Sequence, residues 1–300
     1  MTFLARAQRL CGPEREDGAS VASVVRAVAG IQAQDPGAAA LGARARLAGC
    51  TSADVDAALA GRSVVRTWVM RGTLHLVPAE DVRWMVALLG RPPALPDGAL
   101  AAARSALAGR SLTRKQLAME VRGAGVSLPD HPQTPIRLVA SIARSGVLCE
   151  AEPDGAEPRY ALIDDWLGPE PSFRFDRDAA LRELALRHAR AFPGAGPEDL
   201  ARWSGLGLRD ARRAHADPRS SLDPPMTGST DERLEFTRLL PAYDGIYLGL
   251  RDRSELLAPE HERIVFPGGG VLRPTVIVDG RVAGTWRQVR GEPAITWFDE

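Results

Sequence analysis

The sequence predicts an α+β protein in which helices followed by a β-hairpin recur along the chain and a small β-rich domain closes it. Three observations carry that expectation. Val21, Val24, Val25, Val28 and Ile31 fall at helical spacing, which places one apolar stripe on a helix over 20–34. Residues 62–77 are rich in Val, Thr and Trp around Gly72 and read as two extended runs. The same grammar returns over 113–162, and from Leu239 short β-like runs alternate with glycine-rich turns. Helices followed by a β-ribbon make a winged-helix arrangement. The expected architecture is therefore three tandem winged-helix repeats, over 1–95, 96–172 and 173–235, followed by a β-rich domain over 236–300.

Each element has a local reason. Thr51 and Ser52 can cap a short helix through Ala60. Pro78 followed by Glu80 and Asp81 opens another, with proline and acids in the first turn. In the second repeat Thr113 with Gln116 forms a capping box for a helix through Arg122, which Gly123 and Gly125 end. Thr134 and Pro135 start the next helix, with Ile136, Val139, Ala140 and Ile142 toward a core and Arg137 and Arg144 polar. Gly146 leads into a hairpin, Val147 to Glu150 and Arg159 to Leu162, around Pro153-Asp154-Gly155. The third repeat opens with a helix over 178–192 carrying Leu181, Leu184, Ala185 and His188 on one side. Gly196-Pro197 starts another helix, and Gly205 to Gly207 turns into Leu208–His215. The stretch 217–231, rich in Pro, Ser and Gly, reads as a loop. Beyond it, 246–250, 271–278, 285–289 and 294–298 read as strands, and Trp203, Trp286 and Trp297 as core.

Composition narrows the class. At 300 residues the chain exceeds the usual single-domain size. No apolar run approaches the ~18 residues that a membrane span needs, and the start, with Arg6 and Arg9, does not read as a secretory signal. Cys11, Cys50 and Cys149 are odd in number and far apart, which argues for reduced thiols in a cytoplasmic protein and against a zinc site. Formal net charge is zero, so no basic excess advertises a nucleic-acid partner. Lys115 is the only lysine. The arginine that replaces it suits bidentate phosphate contacts, yet the surplus of Ala, Gly, Pro and Arg also fits G+C-rich codon usage.

The most informative segment is Gly30-Ile-Gln-Ala-Gln-Asp-Pro36. Pro36 disfavours helical dihedrals at Asp35, so a helix should end near Gln34. About 30 residues on comes Val65-Arg-Thr-Trp-Val-Met-Arg-Gly-Thr-Leu-His75, and later Gly196-Pro-Glu-Asp-Leu-Ala-Arg-Trp-Ser-Gly205, Leu239-Leu-Pro-Ala-Tyr-Asp244 and Val278-Asp-Gly-Arg-Val-Ala-Gly-Thr-Trp286. These blocks, in this order, resemble the AlkZ-like winged-helix DNA glycosylases from about Phe3 to Trp286. The Gln-x-Gln form resembles the family's azinomycin-resistance type. The resemblance implies that Gln32 and Gln34 are catalytic in excision of alkylated bases, that the substrate is double-stranded DNA carrying alkylated purines, and that the protein acts as a monomer without a cofactor. It implies self-resistance against a DNA-alkylating natural product. The chain departs from the family at Gly245, where related chains often carry a larger residue, and in a β domain expected to be shortened.

Glutamine constrains the chemistry. It has no titratable proton, so it cannot protonate a leaving group. It can aim its carbonyl oxygen at water and at developing positive charge. That suffices only where the base already carries positive charge, as an N7-alkylguanine or N3-alkyladenine does. On spacing alone the two glutamines read as exposed residues capping a helix end; positions i and i+2 do not share a face in a regular helix, but at a fraying or unwound end both could converge. Asp35 reads as a turn carboxylate or an assisting base.

Strand alternation puts Arg71, Thr73 and His75 on one face. That face either approaches DNA or braces the wing, with His75 a satisfied, partly buried imidazole. Arg137 and Arg144 are phosphate-contact candidates or a solvated helix face. Trp68 and Trp84 read as core. His261-Glu262 lacks a second histidine at metal spacing. Lys115 lies on a capped helix away from the glutamines, so no lyase step is expected. The alternative reading is a winged-helix DNA-binding regulator without catalysis.

Overall fold

The computed structural model describes residues 2–15, 19–154, 157–216 and 235–298. It mixes helices with small antiparallel sheets, in two compact units: Met1–Val55 with Leu181–Glu300, and Asp56–Ala180. Among the described residues no helix is long and apolar enough to cross a membrane. The loop expected at 217–231 and the tip of the turn at Gly155 lie outside the described residues.

In the first unit, reciprocal bonds between Ser20 and Ser23 open the helix Val21–Ala27. The helix expected through residue 34 stops there. Ala29 and Gly30 take left-handed φ values of 58° and 109°, and Ile31–Gln32 is extended. Val28 and Ile31 are buried all the same, so the apolar spacing that suggested a longer helix is satisfied by a turn and a strand. The helix Pro36–Arg46 follows, with proline in its first turn.

The C-terminal part of this unit is a four-stranded antiparallel sheet of Thr237–Leu240, Thr275–Val278, Arg281–Val289 and Glu292–Trp297, each strand pairing with the next. Asp279-Gly280 and Arg290-Gly291 link its last three strands with four consecutive-pair φ values of 50°, 88°, 52° and 90°. Positive φ at both central residues is the requirement of a two-residue hairpin turn. Two expectations fail here. Residues 245–247 form a 3-10 turn instead of a strand, because Asp244 caps it through Ile246 N. Trp297 is 53% exposed instead of core, since it lies on the edge strand. The core gathers Leu10, Leu240, Ile246, Tyr247, Val265 and Ile277. Tyr247 bonds Thr275 Oγ1 at 2.6 Å, and burial pushes its phenol up.

The long helix Arg177–Ala191 brings His188 against Phe192 and Trp203, with ring centroids 5.0 Å away in each case. His188 Nε2 donates to Gly249 O at 3.1 Å. No side chain fits at Gly249: a Cβ there would lie 2.0 Å from the Phe192 ring.

In the second unit Val64–Trp68 pairs antiparallel with Leu74–Pro78, and Met70–Gly72 forms the 3-10 turn between them. Arg66 donates two bonds to Glu150, at 2.7 and 2.9 Å. The order from residue 99 is helix Ala99–Leu107, strand Leu112–Thr113, helix Arg114–Gly123, helix Thr134–Arg144, then the hairpin Leu148–Asp154 and Glu157–Leu162. Leu112–Thr113 joins that hairpin as a third strand. The capping box of Thr113 and Gln116 is present. Leu107, Leu117, Val121, Val139, Ile142 and Leu148 form the core between helices and sheet.

Both units hold a neutral, buried imidazole. Burial and the Arg71 charge hold His75 down to about 3, and burial holds His188 to about 4. An unfolded chain protonates both near pH 6.5. The stability that comes from keeping them neutral is complete above that pH and is lost as pH falls toward the folded values. Unfolding free energy, measured by urea titration, should therefore drop between pH 7 and pH 5 by about 2 kcal/mol per imidazole. Replacing either histidine with an apolar residue should flatten its share of the slope.

Candidate active site

The motif segment is built by its backbone. Ile31 and Ala33 are 6% and 0% exposed, whereas Gln32 is half-buried and Gln34 exposed. The strand ends at Gln32, and Gln34 lies in the bend before Pro36; with Ile31 and Ala33 buried, both amides are left on the less buried side of the segment. Gln32 Nε2 donates to Gln34 Oε1 at 3.1 Å. A regular helix would have splayed residues i and i+2; here the chain past Gln32 brings them within bonding distance.

Asp35 has another task. Its Oδ1 accepts from Ala38 N at 2.8 Å, and its φ of −110° is that of an extended N-cap residue. The carboxylate closes the first turn of Pro36–Arg46, where it also meets the positive end of the helix dipole.

The far end of that helix carries the support. Arg46, 2% exposed, donates Nη1 to Asp244 Oδ2 at 2.8 Å and Nη2 to Asp244 Oδ1 at 2.6 Å. Its Nη1 also reaches Gly42 O at 3.0 Å, and Nη2 reaches Gln8 Oε1 at 3.1 Å. Gln8 Nε2 in turn donates to Ala191 O at 2.7 Å. Gly42 faces the motif strand so closely that an added Cβ would lie 3.2 Å from Ile31 Cγ2. Sequence reasoning missed Gln8 and Arg46. Arg46 and Asp244 lie 198 positions apart, with no local signal to join them.

Two openings flank the motif within this unit. Gly30, Ile31 and Gln32 share a cleft with Pro241, Ala242 and Tyr243. A wider groove of about 480 Å³ runs past Asp35, Ala38 and Arg44 to Pro274, Trp286 and Gln288. Trp286 is anchored there by its Nε1, which donates to Leu240 O at 2.8 Å.

The other candidates belong to the second unit. Arg71 is exposed, but it sits in the 3-10 turn at φ 54° and does not alternate along a strand with Thr73 and His75. Thr73 Oγ1 bonds Met70 O at 3.0 Å. His75 is 3% exposed, and its Nδ1 lies 2.9 Å from Thr73 O, an acceptor, so Nδ1 carries the proton. Arg137 is exposed and donates to Gln133 Oε1 at 2.8 Å. Arg144 donates to the carbonyls of Gly90 and Arg91 and lies over Gly72, which makes it a brace between two loops. Trp68 is buried, and Trp84 is half-buried with Nε1 donating to Asp81. Among the described residues no group of three or more His, Cys, Asp or Glu side chains could hold a metal ion.

Residues 25–295 match the family described as DNA glycosylase AlkZ-like. An interstrand DNA cross-link repair glycosylase of Streptomyces sahachiroi is 26% identical over 317 aligned positions, covering 94% of this chain and 85% of the relative. The solved structure of Streptomyces sahachiroi DNA glycosylase AlkZ aligns with a TM-score of 0.77 at 23% identity, over 99% of this chain and 89% of that one. The matched span contains the aligned glutamines, the capping aspartate and the Arg46–Asp244 pair: the chain belongs to the AlkZ-like DNA glycosylase family.

Proposed function

We propose that the protein is a monofunctional DNA glycosylase whose Gln32 and Gln34 hydrolyse the N-glycosidic bond of cationic alkylated purines. The observation that carries this reading is the amide pair itself, in which Gln32 Nε2 donates to Gln34 Oε1 at 3.1 Å beside the buried Ile31 and Ala33. In the proposed step water attacks C1′ as the C1′–N9 bond breaks. The bonding electrons neutralise the positive base, and the proton of water passes to solvent. The amide oxygens orient the water and meet the positive charge that develops on the sugar. No proton is delivered to the base, so a neutral base is a poor substrate.

Bulky N7-alkylguanine adducts are the favoured lesions, because the groove beside Asp35, about 480 Å³, is of the size that takes a drug-sized group. The relative's description as a cross-link repair glycosylase extends the proposal to crosslinks, and with it to self-resistance in a producer of such an agent. Lys115 stands exposed on Arg114–Gly123, in the unit without the glutamines, which supports hydrolysis without a lyase step. The order helix, strand, helix, helix, hairpin over 99–162 supports a winged helix with Thr134–Arg144 as its recognition helix. Arg71, Thr73 and Arg137 are proposed DNA contacts, whereas the bonding of His75 and Arg144 favours support of that surface. Three such repeats, at 1–95, 96–172 and 173–235, and action as a cytoplasmic monomer complete the proposal.

Gln32→Ala and Gln34→Ala should each slow single-turnover excision from N7-methylguanine DNA by ~10²–10³, with affinity for the DNA nearly unchanged. Wild-type rates in both variants would remove the glutamines from catalysis. For Asp35, asparagine also caps a helix, so Asp35→Asn should keep both rate and melting temperature. Asp35→Ala should cost about 1 kcal/mol of stability. A rate loss in Asp35→Asn at unchanged stability would make Asp35 a base.

Lesion charge provides the remaining test. N7-alkylguanine and N3-alkyladenine should be released as intact abasic sites, and uracil and 8-oxoguanine should not. The comparison needs fixed ionic strength, since affinity for a polyanion changes steeply with salt. Uracil release at a rate near that of N7-methylguanine would show a general acid or base at work.

A further inference from the structure

Tyr243 breaks a local rule next to the motif. It occupies the turn between Pro241 and Asp244 with φ 59°, a left-handed position where glycine or asparagine is the ordinary occupant. The turn is imposed from outside: Asp244 is held by both Arg46 nitrogens and by Ile246 N at 3.0 Å. Tyr243 gains no core position for tolerating it, because its side chain is 38% exposed while Asp244 beside it is 5% exposed. Tyr243 and Gln32 line the same cleft, together with Gly30 at φ 109°. The cleft itself encloses only about 10 Å³, so a purine would rest at its mouth, against the exposed ring. Strained residues that the surroundings over-determine cluster at ligand contacts. Other non-glycine residues take positive φ, among them Ala29, Arg62 and Asp279, but among the described residues Tyr243 is the aromatic one, and it shares a cleft with Gln32.

We propose that Tyr243 reads the lesion: its ring lies against the alkylated purine and favours positively charged bases over neutral ones by cation–π attraction while Gln32 and Gln34 act at the sugar. This rests on the reading of the glutamines as the catalytic pair. The attraction follows the charge of the base. In the bound substrate the purine is cationic, and as the C1′–N9 bond breaks that charge moves to the sugar. The ring therefore strengthens binding of the ground state more than that of the transition state, so its loss should raise half-saturation without slowing the maximal rate.

The experiment is single-turnover excision of N7-methylguanine from duplex DNA over a range of enzyme concentrations, with binding to undamaged duplex measured in parallel. Tyr243→Leu should raise the half-saturating concentration for the lesion about three- to thirtyfold, with maximal rate at or above wild type and undamaged-DNA affinity unchanged. Tyr243→Phe, which keeps the ring, should restore most of the loss. Tyr243→Gly relieves the backbone, so its melting temperature should equal or exceed wild type while half-saturation rises as in Tyr243→Leu. A structural role predicts the reverse: a lower melting temperature and equal weakening on damaged and undamaged DNA. Wild-type half-saturation in Tyr243→Leu, with an active parent, overturns the role of Tyr243 alone. A parent that releases no N7-methylguanine overturns the glycosylase reading and this one together.

Discussion

The buried pair of Arg46 and Asp244 is the constraint on which the geometry of the motif depends. Removing two charges from water is costly, and replacement of such a pair by apolar residues is often neutral or stabilising. Its value lies in direction. Arg46 makes four bonds, to Asp244 twice, Gly42 and Gln8, and a bidentate fork tolerates little change of angle. The pair ties the last turn of Pro36–Arg46 to the Pro241–Asp244 turn. A helix is stiff along its length, so fixing its C-terminus also fixes its first turn, where Asp35 caps and Gln34 emerges. One interaction at the far end of a helix thus constrains both the motif segment and the turn that carries Tyr243, which line one cleft.

Legibility in the sequence followed the range of the interaction. The capping box of Thr113 and Gln116, the helix Thr134–Arg144 and the strands around Gly72 were readable, because each rests on neighbours within a few residues. The end of the Val21–Ala27 helix was not. Val28 and Ile31 keep helical spacing and are both buried, and only the left-handed pair Ala29-Gly30 breaks the run. Gly30 was the available sign, and Pro36, six residues on, drew the boundary too late. Residues 246–250 carry strand-like composition, but Asp244 recruits Ile246 N and turns the backbone tightly. Trp297 could not be placed, because whether a strand is an edge depends on what pairs with it.

The candidate site was legible in a different way. Nothing in two glutamines one residue apart specifies catalysis, and their chemistry became readable through the resemblance of several ordered blocks. What the sequence could not supply was the reason the pair can act together. That reason is conformational: the helix ends at Ala27, and the non-helical chain after it brings i and i+2 together as a regular helix would not. Arg46 lay inside an unremarkable alanine-rich helix, and its partner came 198 positions later. Long-range ion pairs leave no periodicity to read.

A site made of amides separates chemistry from pH. Glutamine does not titrate, and Asp35 is committed to its helix, so the step proposed for the glutamines has no protonation switch between pH 5 and 8. The fold does have one. Two buried imidazoles, held near 3 and 4, oppose the native state once the unfolded chain can protonate them. If the glutamines are the catalytic pair, acid loss of activity should follow unfolding and not a titration in the site. In the mechanism proposed for the glutamines, a weak, non-titrating catalyst leaves selectivity to the leaving group, because a base that carries its own positive charge needs no acid.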